Sequence, residues 1–226
     1  MSTAQPKPSG YDTLIISYLT LRKWVGFLGI LLVPILIFGS FIFDANVIQV
    51  SISAYYHTSM RDVFVGILSA ISMFLFSYNG YERQDAIASK SAGLFALCIA
   101  FLPTSPVNDK TDITSILHYI TAAIFFAILS YMSIFLFTKT RGDMTREKKK
   151  RNKIYRACGV IMAVSVIGIP IVKIPAISDY IALLEPVLVL ETLALFSFGF
   201  SWLIKGEFLL KDDKLENVEL KKDLLF

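Results

Sequence analysis

The side chains best suited to chemistry are His57, His118, Glu185 and Glu191, with Ser53, Tyr56 and Asp62 beside the first histidine. Imidazole and carboxylate brought together from different helices can do three things. They bind a divalent metal, since both are zinc ligands; they relay protons or ions; or they satisfy one another in a structural hydrogen-bonded network. With only two histidines in the chain, a three-histidine zinc site is excluded. The metal arrangement that remains is a mixed site of His57, His118 and Glu185, or one that includes Asp62. Each histidine also has a plain structural reading, an interfacial side chain hydrogen-bonded to backbone. No G-x-S-x-G, Walker A, HExxH or GxGxxG occurs in its proper context, so serine hydrolase, nucleotide-driven and nicotinamide chemistries lack support.

The elements that must position these residues are apolar. Glu185 and Glu191 interrupt residues 180–204 (YIALLEPVLVLETLALFSFGFSWLI), a run long enough to cross a bilayer as one helix. A carboxylate at such depth is costly, so it faces protein or water, or it has a function. Composition agrees: 55% hydrophobic residues, 18% charged and a mean hydropathy of +0.62 describe an integral membrane protein. The candidate spans are 24–43, 63–81, 91–107, 113–138, 157–172 and 180–204, which predicts an all-α bundle of six transmembrane helices. The third and fifth are short and carry proline near one end (Pro103, Pro106, Pro170, then Pro175), which ends or kinks a helix without excluding it. No linker or internal repeat divides the chain. It reads as an interfacial segment 1–23, a transmembrane domain 24–204 and a charged tail 205–226.

The net charge of +4 concentrates in residues 139–156 (KTRGDMTREKKKRNKIYR), which reads as orientation and not as a nucleic-acid footprint. That segment, the approach Arg22-Lys23 and the tail place both termini in the cytoplasm of a multi-pass cell-membrane protein. Anionic lipid headgroups are the other partner such clusters take. The apolar stretch after Lys23 is too long for a signal-peptide h-region and is expected to be retained. Before it, Leu14, Ile15, Tyr18 and Leu21 fall on one face at helical spacing, as in a segment lying along the membrane surface. Cys98 and Cys158 fall in predicted spans and form no metal motif.

Residues 48–55 (IQVSISAY) alternate strictly between apolar and polar, which predicts an extended strand capping the outer mouth of the bundle. It delivers Tyr56, His57, Arg61 and Asp62 to the second span. Counted at about 1.5 Å per residue, His118 and Glu185 each lie on the order of 9 Å inside the outer surface, so they are expected to be neighbours. Glu191 is expected about 9 Å deeper still, near the middle of the membrane.

The order SISAYYHT, FLPTSP and ILHYITAAIFF resembles the six-span DRAM-type membrane proteins (damage-regulated autophagy modulators) and their bacterial relatives. The resemblance covers most of the chain and implies six spans, cytoplasmic termini and a capped outer face, with no common reaction. Ser53 and His57, followed by Asp62, are similar to the Ser-x-x-x-His and downstream Asp of alkaline ceramidase and adiponectin-receptor type hydrolases, which implies zinc-dependent lipid hydrolysis. Those enzymes have seven spans and a later pair of histidines, whereas this chain has none after His118. The expectation is an outward-facing polar pocket of Ser53, Tyr56, His57, Asp62, His118, Glu185 and Glu191 that binds, senses or conducts a small ligand, lipid or ion. A zinc-dependent lipid hydrolase and a structural or assembly protein are the alternatives.

Overall fold

The computed structural model describes residues 10–44, 48–106, 109–140, 142 and 144–210, and leaves the side chains of 10–17, 179 and 182 undescribed. The expected apolar face at Leu14 and Ile15, the tail beyond 210 and Asn108 in the loop after the third span therefore lie outside the described residues. The elements are α1 (Gly10–Phe43), α2 (Arg61–Ser77), α3 (Arg83–Phe101), α4 (Ile113–Tyr131), α5 (Arg146–Val172), a short α6 (Pro175–Ile181) and α7 (Pro186–Lys205). Single turns of 3-10 helix (Ser53–His57, Ala182–Leu184) and a π turn (Met132–Leu136) complete them, and no strand occurs among the described residues.

Local sequence sets the starts. Thr145 caps α5 by accepting from the Lys148 amide at 3.0 Å, and Asp112 caps α4 by accepting from the Ser115 amide at 2.8 Å. Each satisfies an amide that lacks an intrahelical partner. Thr145 and the good helix formers after it turn the distal half of the basic segment into the first three turns of α5, not a loop.

Four helices are long and apolar enough to cross a membrane: Tyr18–Phe43, Ile113–Leu136, Arg146–Val172 and Pro186–Lys205. They leave large side chains such as Phe38 (67% exposed), Ile42 (74%) and Ile167 (63%) facing outward, a surface that suits lipid and not water. α2, at 17 residues, rises only about 26 Å, and α3 carries Arg83, Asp85 and Lys90.

The six long helices pack as a closed ring in chain order, with α7 returning to lie between α5 and α1. Without a hydrophobic drive between helices in lipid, such contacts depend on small residues and interhelical hydrogen bonds. Gly26 and Gly199 meet where α1 crosses α7, so closely that a Cβ on Gly199 would lie 2.6 Å from the Gly26 carbonyl oxygen. Serine hydroxyls tie two further seams: between α2 and α3, Ser72 to the Gly93 carbonyl (2.7 Å) and Ser89 to that of Leu75 (2.7 Å), and between α4 and α5, Ser130 to that of Gly159 (2.7 Å). The buried core runs through this ring, from Leu32, Leu36 and Leu68 to Phe125, Phe198 and Trp202.

Two expectations are corrected. Residues 48–55 are not a strand: the chain makes a bend and then the 3-10 turn Ser53–His57. Ile52 and Ser53 are both buried while Ile48 and Val50 are exposed, because the Ser51 and Ser53 hydroxyls meet each other at 3.2 Å and need no water. Residues 180–204 are not one helix either. Pro186 disfavours helical backbone in the residue before it, and Glu185 takes a left-handed conformation (φ 43°, ψ 58°) between the 3-10 turn and α7. Glu191 therefore sits in the second turn of α7, about 8 Å from its start.

Candidate functional site

The connections 44–60, 102–112 and 173–185 gather at one end of the ring, here the loop end. Its organising residue is Glu191. Its carboxylate reaches up from α7 and accepts from the Ile52 amide at 2.5 Å. Ile52 immediately precedes the 3-10 turn, so a carboxylate from the bundle caps a turn in the loop. Nearby, the Ala54 amide donates to Ser51 Oγ (3.1 Å), and Asp44 accepts from the Ser59 hydroxyl at 2.5 Å and amide at 3.1 Å. The Ser59 hydroxyl holds the Asp44 carboxyl below its ordinary value.

Both histidines hold the turn that follows α3. His118, 4% exposed on α4, places Nδ1 2.6 Å from the Leu102 carbonyl oxygen. His57, exposed at the end of the 3-10 turn, places Nε2 2.5 Å from that of Thr104. A carbonyl only accepts, so each of those nitrogens carries the proton, leaving Nε2 of His118 and Nδ1 of His57 as the acceptor nitrogens of the neutral rings. The same turn is fixed from below by Ser115, whose hydroxyl accepts from the Ser105 amide (2.6 Å) and donates to Asp112 (2.6 Å). That bond holds the Asp112 carboxyl below its ordinary value.

Two cavities flank the Ser51–Ala54 stretch. The larger, about 290 Å³, is lined by Ser51, Ala54, Thr104, Asp109, Tyr119, Lys173 and Glu185, among others. Lys173 lies 4.6 Å from the ring centre of Tyr119. The smaller, about 50 Å³, lies among Leu32, Phe64, Phe125 and Leu195 and receives Ser53, His118 and Glu191.

The expected site is thus divided. Ser53, His118 and Glu191 share the small inner cavity, while Glu185 lines the larger outer one. The expected pairing of His118 with Glu185 is replaced by the bond from His118 to Leu102, since a carbonyl at the end of α3 was nearer than a carboxylate beyond the break before α7. Tyr56 instead accepts from Arg61 Nη2 at 3.1 Å, and Asp62 is exposed in the first turn of α2. Among the described residues no three His, Cys, Asp or Glu side chains come together as a metal would need. His57, His118 and Glu185 do not form the expected zinc set.

The chain matches no family model, no curated protein and no solved structure. The site must be read from its own geometry.

Sequence reasoning missed Lys173 and Asp109 as site residues; a lone lysine between α5 and α6 was the available signal. It also missed a second polar concentration at the opposite, basic end, where 78–82, 137–145 and 205–210 meet. There Arg22, Asp85, Arg151 and Lys205 are all buried, together with Tyr78, Tyr155 and Trp202. Lys139 is paired with Glu82 at 2.6 Å on the surface of this end, and that bond raises the lysine above its ordinary value.

Proposed function

We propose that this chain is a six-span membrane protein with both termini in the cytoplasm, whose outward-facing pocket binds a small polar ligand. The observation that carries the reading is the cavity of about 290 Å³ in which Lys173 stands with Glu185 and Asp109. A concave site with a few charged groups on its wall is the usual form of a small-molecule pocket. One cation and two carboxylates complement a ligand carrying an ammonium and an acidic group. Binding is favoured over hydrolysis because the two histidines spend ring nitrogens on backbone carbonyls of a loop. It is favoured over conduction because the inner cavity is narrow and mostly apolar. The likeness to the DRAM-type proteins is part of this proposal and rests on the short motifs alone.

The test is calorimetry on the purified chain with a panel of amino acids and phosphoethanolamine. Lys173→Ala and Glu185→Gln are each expected to weaken the best binder about tenfold, the loss of about 1.4 kcal/mol. Affinity unchanged from the wild type in both variants, or no binder among zwitterions, refutes the pocket.

A further inference from the structure

The basic end holds two cations in a place where charge is costly. Arg22 on α1 is 4% exposed and Lys205, the last residue of α7, is 6% exposed. They are adjacent, with Arg22 Nη1 donating to the Lys205 carbonyl at 3.2 Å. Ring faces surround them: the guanidinium lies 4.4 Å from the centre of Tyr18 and 5.4 Å from that of Tyr78, and Lys205 Nζ lies 4.8 Å from Tyr81 and 5.0 Å from Phe137. Cation–π attraction offsets only part of the cost of burying a charge. Among the described residues neither cation forms an ion pair, the two pairs present being Lys139–Glu82 and Lys150–Glu147.

The nearby buried carboxylate, Asp85, does not close the balance. Its Oδ2 accepts from the Glu82 amide at 3.0 Å and its Oδ1 has no partner. Lys148 and Arg151 add positive charge to the same region while donating to the carbonyls of Phe137 (2.8 Å) and Leu210 (2.6 Å). Arg22 Nε and Tyr78 Oη are buried without partners. Two donors are thus unsatisfied beside two buried cations that form no ion pair among the described residues. Tyr81, 57% exposed, covers both cations from the water side and marks the way in.

We propose that a phosphate-bearing anion binds here, between Arg22 and Lys205 and beneath Tyr81. A phosphate brings several acceptor oxygens, matches the donor geometry of a guanidinium and supplies the missing negative charge. Two sources share this chemistry: the headgroup of an anionic phospholipid in the adjacent leaflet, which basic clusters beside spans attract, and a soluble phosphate. The site is independent of the pocket at the loop end.

The full chain is studied in neutral detergent and in nanodiscs, with intrinsic fluorescence as the reporter, because Trp202 is 1% exposed and its ring centre lies 4.9 Å from that of Tyr78. Saturating anion is expected to raise Tm by about 5 °C. A rise in phosphatidylglycerol over phosphatidylcholine nanodiscs, with no response to inorganic phosphate in detergent, assigns the site to lipid. A response to inorganic phosphate beyond that to sodium chloride of equal ionic strength assigns it to a small phosphate. In either case Arg22→Gln and Lys205→Met remove the rise. No rise in the wild-type chain with either anion overturns the proposal, as does an unchanged rise in both variants. The wild-type comparison decides even where a variant fails to fold.

Discussion

The two ends of the bundle solve the same problem with different chemistry. At the loop end, irregular backbone is held by side chains: Glu191 takes the Ile52 amide at the start of the 3-10 turn, and His57 and His118 take carbonyls of the turn after α3. At the basic end, charged side chains are held by rings, with Arg22 against Tyr18 and Tyr78 and Lys205 against Tyr81 and Phe137. The difference follows from what each end must bury. Hydrogen bonds are directional and fix a loop in one shape, whereas ring faces accept a cation without fixing where its counter-charge sits. The loop end is therefore built for shape and the basic end for charge.

The largest effect that tests this contrast is expected at Asp85. Asp85→Asn preserves size and an acceptor for the Glu82 amide but removes the buried carboxylate near Lys205. Unbalanced buried charge costs about 3–5 kcal/mol, so chemical denaturation in detergent should show a loss of that order. A loss under about 1 kcal/mol would mean that Asp85 contributes hydrogen bonding alone, and the contrast between the ends would fail.

A smaller effect is expected from Glu191→Leu, which leaves the Ile52 amide without its acceptor, at a cost of about 1–3 kcal/mol. Glu191→Gln keeps an acceptor oxygen and should recover most of it. Hydrogen exchange should locate the difference, with faster exchange at Ile52 and Ser53 in the leucine variant and unchanged exchange at the basic end. If both variants exchange alike, charge and not shape governs the loop end.

The smallest effect concerns acid. The carboxyls of Asp44 and Asp112 are lowered from an ordinary 3.8, first by the Ser59 and Ser115 hydroxyls respectively. A lowered folded value means the stabilisation is present above 3.8 and is lost as pH falls through the folded values below it. Acidification into that range should loosen residues 44–60 and 102–115 slightly while leaving the α1–α7 seam protected. Both groups face solvent, so a shift of Tm of more than a few degrees would show that deeper groups titrate instead.

Much of the fold was legible because membrane helices announce themselves by length and apolar content: each of the first five expected runs overlaps a helix, and the sixth, 180–204, is broken before α7. The boundaries were less so. α1 runs unbroken from Gly10 because no proline or glycine pair separates the interfacial stretch from the first span, and α5 begins eleven residues before the apolar run at 157. The strand expectation failed because it rested on polar and apolar residues facing opposite sides, whereas small hydroxyls such as Ser51 and Ser53, which bond each other or the backbone, can be buried alongside Ile52 and Ala54. Glu191 was legible as a costly residue that must face a partner, yet its partner is a backbone amide, which carries no signal in side-chain identity. The basic end was invisible because Arg22 and Lys205 read as ordinary flanks of apolar runs. Their ring partners Tyr78, Tyr81 and Phe137 come from connections far away in sequence.

The crossing of Gly26 with Gly199 also orders events in time. α1 leaves the ribosome before α7, and α7 is what stands between α1 and α5. Until α7 is inserted, the Gly26 face of α1 has no neighbour of its own and the ring remains an open arc, exposed to lipid or to an insertion chaperone. Closure is thus a single late event joining residues far apart in sequence, the kind of contact that forms slowly. A chain interrupted before residue 186 would keep its preceding helices but never become a ring.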